Sequence, residues 1–311
     1  MIRLSPINQT KLFGLHIYLK ELIKLENYDK LPNKILFSGQ KGTGKCTLAY
    51  HFINYVLSKN EEAQYDINDY QINPNNHSFK TILNKSNPNF ILIDIENEKK
   101  FIDISQIREL IYKLNKSSFN NKPRFVLIDN VEYLNLNSIN SLLKILEEPS
   151  ANVFFILINN SNEKILPTLY SRCINFKISL SKNESLSIAN HLLSGKINEL
   201  INEDLINYYS TPGNIYNLAE FAKLNKYDLS VFNLKEFLKL FIKDKHYKKD
   251  SLYKYLIFDY IEFYFRKIDL DMNSKILEKY YYFLKRINET KKFNLDYESL
   301  FIEFDEEILN G

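Results

Sequence analysis

The chain has 311 residues, enough for two or three domains of ordinary size, and its 45% hydrophobic and 25% charged content is that of a globular protein. A net charge of +3 is too small to argue for nucleic-acid binding by itself, so any such contact would need a local basic face or partner subunits. The only cysteines, Cys46 and Cys173, exclude a disulfide framework and a four-cysteine zinc site, and a reducing cytoplasm is expected.

Lys11, His16 and Lys20 break the apolar residues near the start, which excludes a secretory core. Leu12, Leu15, Leu19, Leu22 and Ile23 recur at helical spacing and predict an amphipathic helix over residues 12–25. An apolar run, Ile35-Leu36-Phe37, then leads into Gly39-Gln40-Lys41-Gly42-Thr43-Gly44-Lys45-Cys46-Thr47 and a helix-like segment from Leu48 to Leu57. Strand, glycine loop and helix together make this G-x-x-x-x-G-K pattern a phosphate-binding loop: glycines aim several amides at one anion, and the helix start adds partial positive charge. Lys45 is placed to reach the terminal phosphates. The next position should carry the Ser or Thr hydroxyl that ligates Mg²⁺, but it is Cys46, a poor ligand for a hard cation, and Thr47 comes one residue late. The polar stretch Ser58 to Asn89 lacks periodicity and is expected to be an excursion with little core of its own.

Phe90 to Asp94 reads as a short strand, and Ile107, Leu110, Ile111 and Leu114 as one face of a helix. Phe125-Val126-Leu127-Ile128-Asp129 reads as a buried parallel strand whose carboxyl end faces a nucleotide site. Ile139, Leu142, Leu143 and Leu146 mark a helix stopped by Pro149, and Val153 to Ile158 a further strand ending at Asn159-Asn160. Even this longest apolar run is far too short to span a bilayer, so a soluble protein with no membrane partner is expected. Alternating strands and helices predict an α/β domain with a parallel sheet flanked by helices over residues 1–178. Helical patterns follow: a small lid over residues 179–225, broken at Thr211-Pro212-Gly213, and an all-α unit over residues 226–311.

Four stretches in this order resemble the clamp-loader branch of the AAA+ ATPases: Leu36 to Lys45, Val126 to Asp129, Asn140-Ser141-Leu142-Leu143-Lys144-Ile145-Leu146-Glu147-Glu148-Pro149, and Leu166-Pro167-Thr168-Leu169-Tyr170-Ser171-Arg172-Cys173. The last two are the specific ones. The resemblance implies a P-loop AAA+ domain, a helical lid and a C-terminal collar for oligomerisation. It also implies ATP contacts at Gly39, Gly42, Thr43, Gly44, Lys45, Cys46, Thr47 and the sensor Asn159, next to Asn160. Asp129 would hold Mg²⁺ through water if nucleotide binds.

Departures from the motor subunits of that branch point to its delta-prime class. The motor carries Asp-Glu where this chain has Asp129-Asn130, and an amide cannot polarise water as a carboxylate does. The lid arginine that senses the γ-phosphate has no counterpart in Ser210-Thr211-Pro212-Gly213-Asn214. The resemblance then implies that Arg172 serves a neighbouring subunit's ATP site in trans. The implied partners are gamma/tau and delta-type clamp-loader subunits in a heteropentamer, and indirectly the sliding clamp and primed DNA. Relatives hold a four-cysteine zinc module after the phosphate-loop helix, whereas Ser58 to Asn89 offers only His77, so no zinc is expected.

Two other readings stay open. One is an active motor that uses Lys45 and Asp129 with Glu132 in place of the missing carboxylate. The other is a DNA-binding AAA+ protein outside the clamp loader, using the lysine-rich face Lys235 to Lys254. The aromatic runs Tyr253 to Phe265 and Tyr280 to Phe283 are expected to pack the helical unit.

Overall fold

In a parallel sheet covered on both faces, successive side chains of one strand enter opposite cores. In the computed structural model β1 (Lys34–Ser38) does so: Ile35 and Phe37 join one buried cluster and Leu36 the other. β2 (Phe90–Ile93), β3 (Arg124–Ile128), β4 (Val153–Asn159) and β5 (Ile174–Lys177) complete a sheet in the order β2-β3-β4-β1-β5, every pair parallel. The structure describes residues 4–96, 99–116, 120–150, 152–160, 167–249, 251–267, 274–293 and 295–310. Leu166, which opens the last of the four motif stretches, lies outside them.

The chain divides into two compact units, residues 1–192 with 211–216, and residues 193–210 with 217–311. In the first, α1 (His16–Asn27), α2 (Lys45–Ser58) and α3 (His77–Leu83) cover one face of the sheet. α4 (Ile104–Leu114) and α5 (Leu136–Glu147) cover the other through Ile107, Leu110, Leu114, Ile139, Leu142 and Leu146. Local signals fix their starts: Asp103 and Gln106 form a capping box on α4, and Asn135 caps α5 by accepting from Ser138 N–H. α1 starts at His16 rather than Leu12. Leu12 is buried all the same, but its N–H donates to the Tyr70 carbonyl and so leaves the helix.

The stretch Ser58 to Asn89 corrects its sequence reading. It is not an excursion without a core, because Tyr65, Ile72, Phe79 and Ile82 are buried in the cluster under α2. The backbone of Lys11 bridges that of Gln71 in antiparallel fashion, Ile72 N–H donates to the Thr10 carbonyl, and Asn54 and Asn76 exchange side-chain amide hydrogen bonds of 3.2 Å. His51 reaches the same region: Nε2 donates to the Gln9 carbonyl and Nδ1 accepts from the Tyr65 hydroxyl. Burial holds its pKa down at about 4, so this bridge is neutral at physiological pH.

α6 (Pro167–Tyr170) and α7 (Lys182–Leu193) flank β5 in sequence, and the first residues of α9 (Pro212–Asn225) belong to the same unit. The second unit is helical among its described residues. It holds α8 (Ile197–Leu200), the rest of α9, α10 (Leu234–Lys243), α11 (Ser251–Lys267), α12 (Ser274–Phe293) and α13 (Tyr297–Phe304). Its core is aromatic: Phe221 packs on Phe237 and Phe241, and Phe265 on Phe283 and Phe304. From the two aromatic runs, Phe258, Phe265 and Phe283 are buried in this packing, while Tyr281 and Tyr282 are exposed and the side chains of Tyr253 and Tyr255 lie outside the described residues. The structure therefore has the expected class, an α/β domain with a parallel sheet flanked by helices and a helical C-terminal part. Among the described residues no helix is long and apolar enough to cross a membrane.

Candidate functional site

Sheet order decides where a ligand can sit. After β1 the chain leaves for the far edge at β2 and returns through β3 and β4, so strand order reverses beside β1 and a crevice opens at the carboxyl ends. Three segments meet there: the glycine loop after β1, Asp129-Asn130 after β3, and Asn159-Asn160 after β4.

The loop backbone takes shapes that side chains would block. Gly39 has φ +149°, and a Cβ there would lie 2.2 Å from the Ile178 carbonyl oxygen. Gly42 has φ +85°, and its Cβ would meet Thr211 Oγ1 at 2.5 Å. α2 begins at Lys45 with no side-chain cap at Gly44, so its first-turn amides remain available to an anion. Lys45 is only 2% exposed, and its ammonium folds back onto the loop. It donates to the carbonyls of Gly39 at 2.9 Å and Gln40 at 2.6 Å, and to Thr43 Oγ1 at 3.3 Å. Burial lowers its pKa to about 8, against the attraction of Asp129 and Glu132. Loop amides and Lys45 together fit the phosphates of a nucleotide.

The magnesium position does not fit its ion. Cys46 is half-buried as a residue, and the Asp129 carboxylate acts on its thiol. Burial and the Asp129 charge push the thiol pKa well up, so it stays protonated. Asp129 Oδ1 also accepts from Asn130 N–H at 2.8 Å and from Asn160 Nδ2 at 3.0 Å. Burial, then the nearby Asp94, raise the Asp129 pKa. Thr47 stands half-buried in the first turn of α2. Among the described residues no group of three or more His, Cys, Asp or Glu side chains is placed to hold a metal ion.

Asn130 is locked. It has the left-handed conformation at φ 58°, its Nδ2 donates to Asp94 Oδ1 at 2.8 Å, and its Oδ1 accepts from Asn160 Nδ2 at 3.0 Å. Both ends of the amide are therefore used within the protein. Glu132 faces the site. Its Oε2 accepts from Asn160 N–H at 3.2 Å, its charge is felt at Lys45, and burial raises its pKa. Asn159 is buried in β4 in register with Ser38, while Asn160 makes the contacts to Asp129 and Asn130. Asn160 and Asp94 are the residues that sequence reasoning undervalued: the only signal was a polar residue ending each apolar run.

The start of α9 closes over the loop. Thr211 Oγ1 donates to the Lys41 carbonyl at 2.9 Å and accepts from Asn214 N–H at 3.3 Å. Gly213 N–H donates to the Gly42 carbonyl at 3.0 Å. Thr211, then Pro212, is a capped helix start with proline where its missing N–H costs nothing.

Arg172 lies away from this crevice, after α6, with its side chain 32% exposed. One guanidinium nitrogen donates to Glu147 Oε1 at 2.6 Å and the other to the Thr168 carbonyl at 2.8 Å. The two specific motifs thus meet here, the α5 motif through Glu147 and the α6 motif through Arg172. In the second unit, Lys245 and Lys248 both pair with Glu298 and Lys249 approaches His246, which occupies part of the lysine-rich face.

The family model described as DNA polymerase III, delta subunit, matches residues 15–182. DNA polymerase III subunit gamma of Buchnera aphidicola subsp. Schizaphis graminum is 30% identical over 244 residues, 75% of this chain and 63% of its own length. DNA polymerase III subunit delta′ of Buchnera aphidicola subsp. Baizongia pistaciae is 30% identical over 165 residues, 51% of this chain and 47% of its own. A crystal structure of a DNA polymerase III gamma subunit-related protein from Thermotoga maritima aligns over 83% of this chain and 77% of its own, with 21% identity and a TM-score of 0.43. The chain spans 39% to 63% of the length of five of the curated relatives it matches, about half on average, and from 28% to 78% of three others. Since the matched segment is more than half of the chain, this protein belongs to the DNA polymerase III delta-subunit family.

Proposed function

We propose that this chain is a non-motor, delta-prime-type subunit of a DNA polymerase III clamp loader, joined in a heteropentamer with gamma/tau and delta-type subunits. In this role it lends Arg172 to a neighbour's ATP site while ATP-driven motion loads a sliding clamp on primed DNA. The observation that carries the reading is the Asn130 amide, held between Asp94 and Asn160 where a motor needs a carboxylate aimed at water. Cys46 at the metal position and Asn214 in the lid point the same way. Arg172 stays at the surface, paired with Glu147 among the described residues, and a half-exposed pair of this kind is worth about 1 kcal/mol or less. A neighbour's triphosphate competes easily against that.

The test is co-purification with gamma/tau and delta-type subunits, followed by DNA-stimulated ATPase measurement. An arginine supplied in trans is worth about 10³–10⁵ in turnover. Arg172→Ala should therefore silence the site it serves and leave assembly intact; unchanged turnover would rule the role out.

A second reading has one observation in its favour. Glu132 is turned toward Lys45 and Asp129, so an active motor that uses it in place of the missing carboxylate is sterically open. ATP turnover by the purified chain alone, abolished by Lys45→Ala, would select that reading.

A further inference from the structure

We propose that the phosphate loop of this chain holds a polyphosphate without a divalent cation, as a magnesium-independent anion site. This concerns the chain's own pocket and stands or falls separately from the role of Arg172. Magnesium demands near-octahedral oxygen ligands at about 2.0–2.1 Å and is reluctant to lose water. In a P-loop its protein ligand is the hydroxyl at the position of Cys46. Here that position offers the soft sulfur of Cys46, a free cysteine, and no hydroxyl. Asp129 is the other group that could attract the ion. Its Oδ1 already accepts from the Asn130 backbone amide at 2.8 Å and from the Asn160 side chain at 3.0 Å, so that oxygen is engaged within the protein. A cation entering between the two would have to break this set and would recover one carboxylate oxygen and no hydroxyl.

What binds phosphate is undamaged. The loop glycines keep their backbone shape, the first turn of α2 is uncapped, and Lys45 sits within the loop with three donors to redirect. The carboxylates of Asp94, Asp129 and Glu132 oppose an anion.

The experiment is calorimetric titration of the full chain with ATP and with inorganic tripolyphosphate, each in excess Mg²⁺ and in excess EDTA. The wild type should bind both ligands, with dissociation constants that differ by less than about two-fold between the two conditions. Cys46→Ser, which restores the hydroxyl, should become magnesium-dependent, binding ATP at least about ten-fold more tightly with the metal. Asp129→Asn gives an independent arm with opposite signs. A metal-free site should bind ATP as well or better once a repelling charge is gone, whereas a metal-held nucleotide would be lost. Wild-type binding that disappears in EDTA, binding of neither ligand, a Cys46→Ser protein indifferent to magnesium, or loss of binding in Asp129→Asn would overturn the proposal. None of these outcomes bears on the ATPase of an assembly lacking Arg172.

Discussion

Gly213→Ala sets two effects of opposite sign against each other. Gly213 is the second residue of α9, where alanine is favoured over glycine by up to about 1 kcal/mol. Propensity alone therefore predicts a more stable protein. The structure predicts the reverse, because a Cβ on Gly213 would lie 2.7 Å from Gly42 Cα and 3.1 Å from Gly42 O. Carbon atoms at rest are about 3.5–4.0 Å apart, so the helix start must withdraw by about 0.8 Å or more, and both neighbours are backbone that cannot rotate aside. Withdrawal breaks the Gly213 N–H bond to Gly42 and the Thr211 bond to Lys41. At about 1 kcal/mol each, these outweigh the helix gain by about 1 kcal/mol. For a unit of this size that lowers Tm by about 2–4 °C. Thermal unfolding by circular dichroism reads the sign, and backbone hydrogen exchange at Gly213 should accelerate. A Tm at or above the wild type, with that amide still protected, would refute the claim that α9 is latched to the phosphate loop.

Ile72→Ala tests whether the stretch after α2 shares the core. Ile72 is 1% exposed, so the change should cost about 2–5 kcal/mol in chemical denaturation, and a loss under about 1 kcal/mol would return the stretch to an excursion. Polyphosphate binding should depend on pH through Lys45, whose pKa is about 8 in the free protein. An anion favours the charged form and raises that pKa, so below about 8 Lys45 is charged in both states and contributes no pH dependence. Above about 8 the complex must take up a proton, and affinity should fall by up to about ten-fold per pH unit. A wild-type profile from pH 7 to 9.5 no steeper than that of Lys45→Ala would contradict this.

The sheet was legible because its buried strands are uniform apolar runs bounded by turns, and β3 and β4 read off almost residue for residue. α4 and α5 announced themselves by spacing, since each presents one apolar face to the sheet. The stretch from Ser58 to Asn89 was misread for a physical reason. Its core residues, Tyr65, Ile72, Phe79 and Ile82, are scattered among Asn and Asp, and the chain is held by turns, by the backbone of residues 10–12 and by the Asn54–Asn76 pair rather than by a long helix. β5 is likewise faint in sequence, because Ile-Asn-Phe-Lys is an edge strand with two polar residues of four. Within the site, the loop and Asp129 followed from pattern alone. The tie from Asn130 to Asp94 and Asn160, the inward turn of Glu132, and the pairing of Arg172 with Glu147 depend on segments far apart in the chain, and no spacing rule reports them.

The most direct test of the central claim is ATP turnover measured three ways: this chain alone, the mixture of clamp-loader subunits with it, and the same mixture carrying Arg172→Ala. The account predicts negligible turnover alone, DNA-stimulated turnover in the complete mixture, and a marked fall with the variant although the complex still assembles. Brisk hydrolysis by the isolated chain, or full activity with the arginine gone, would contradict it.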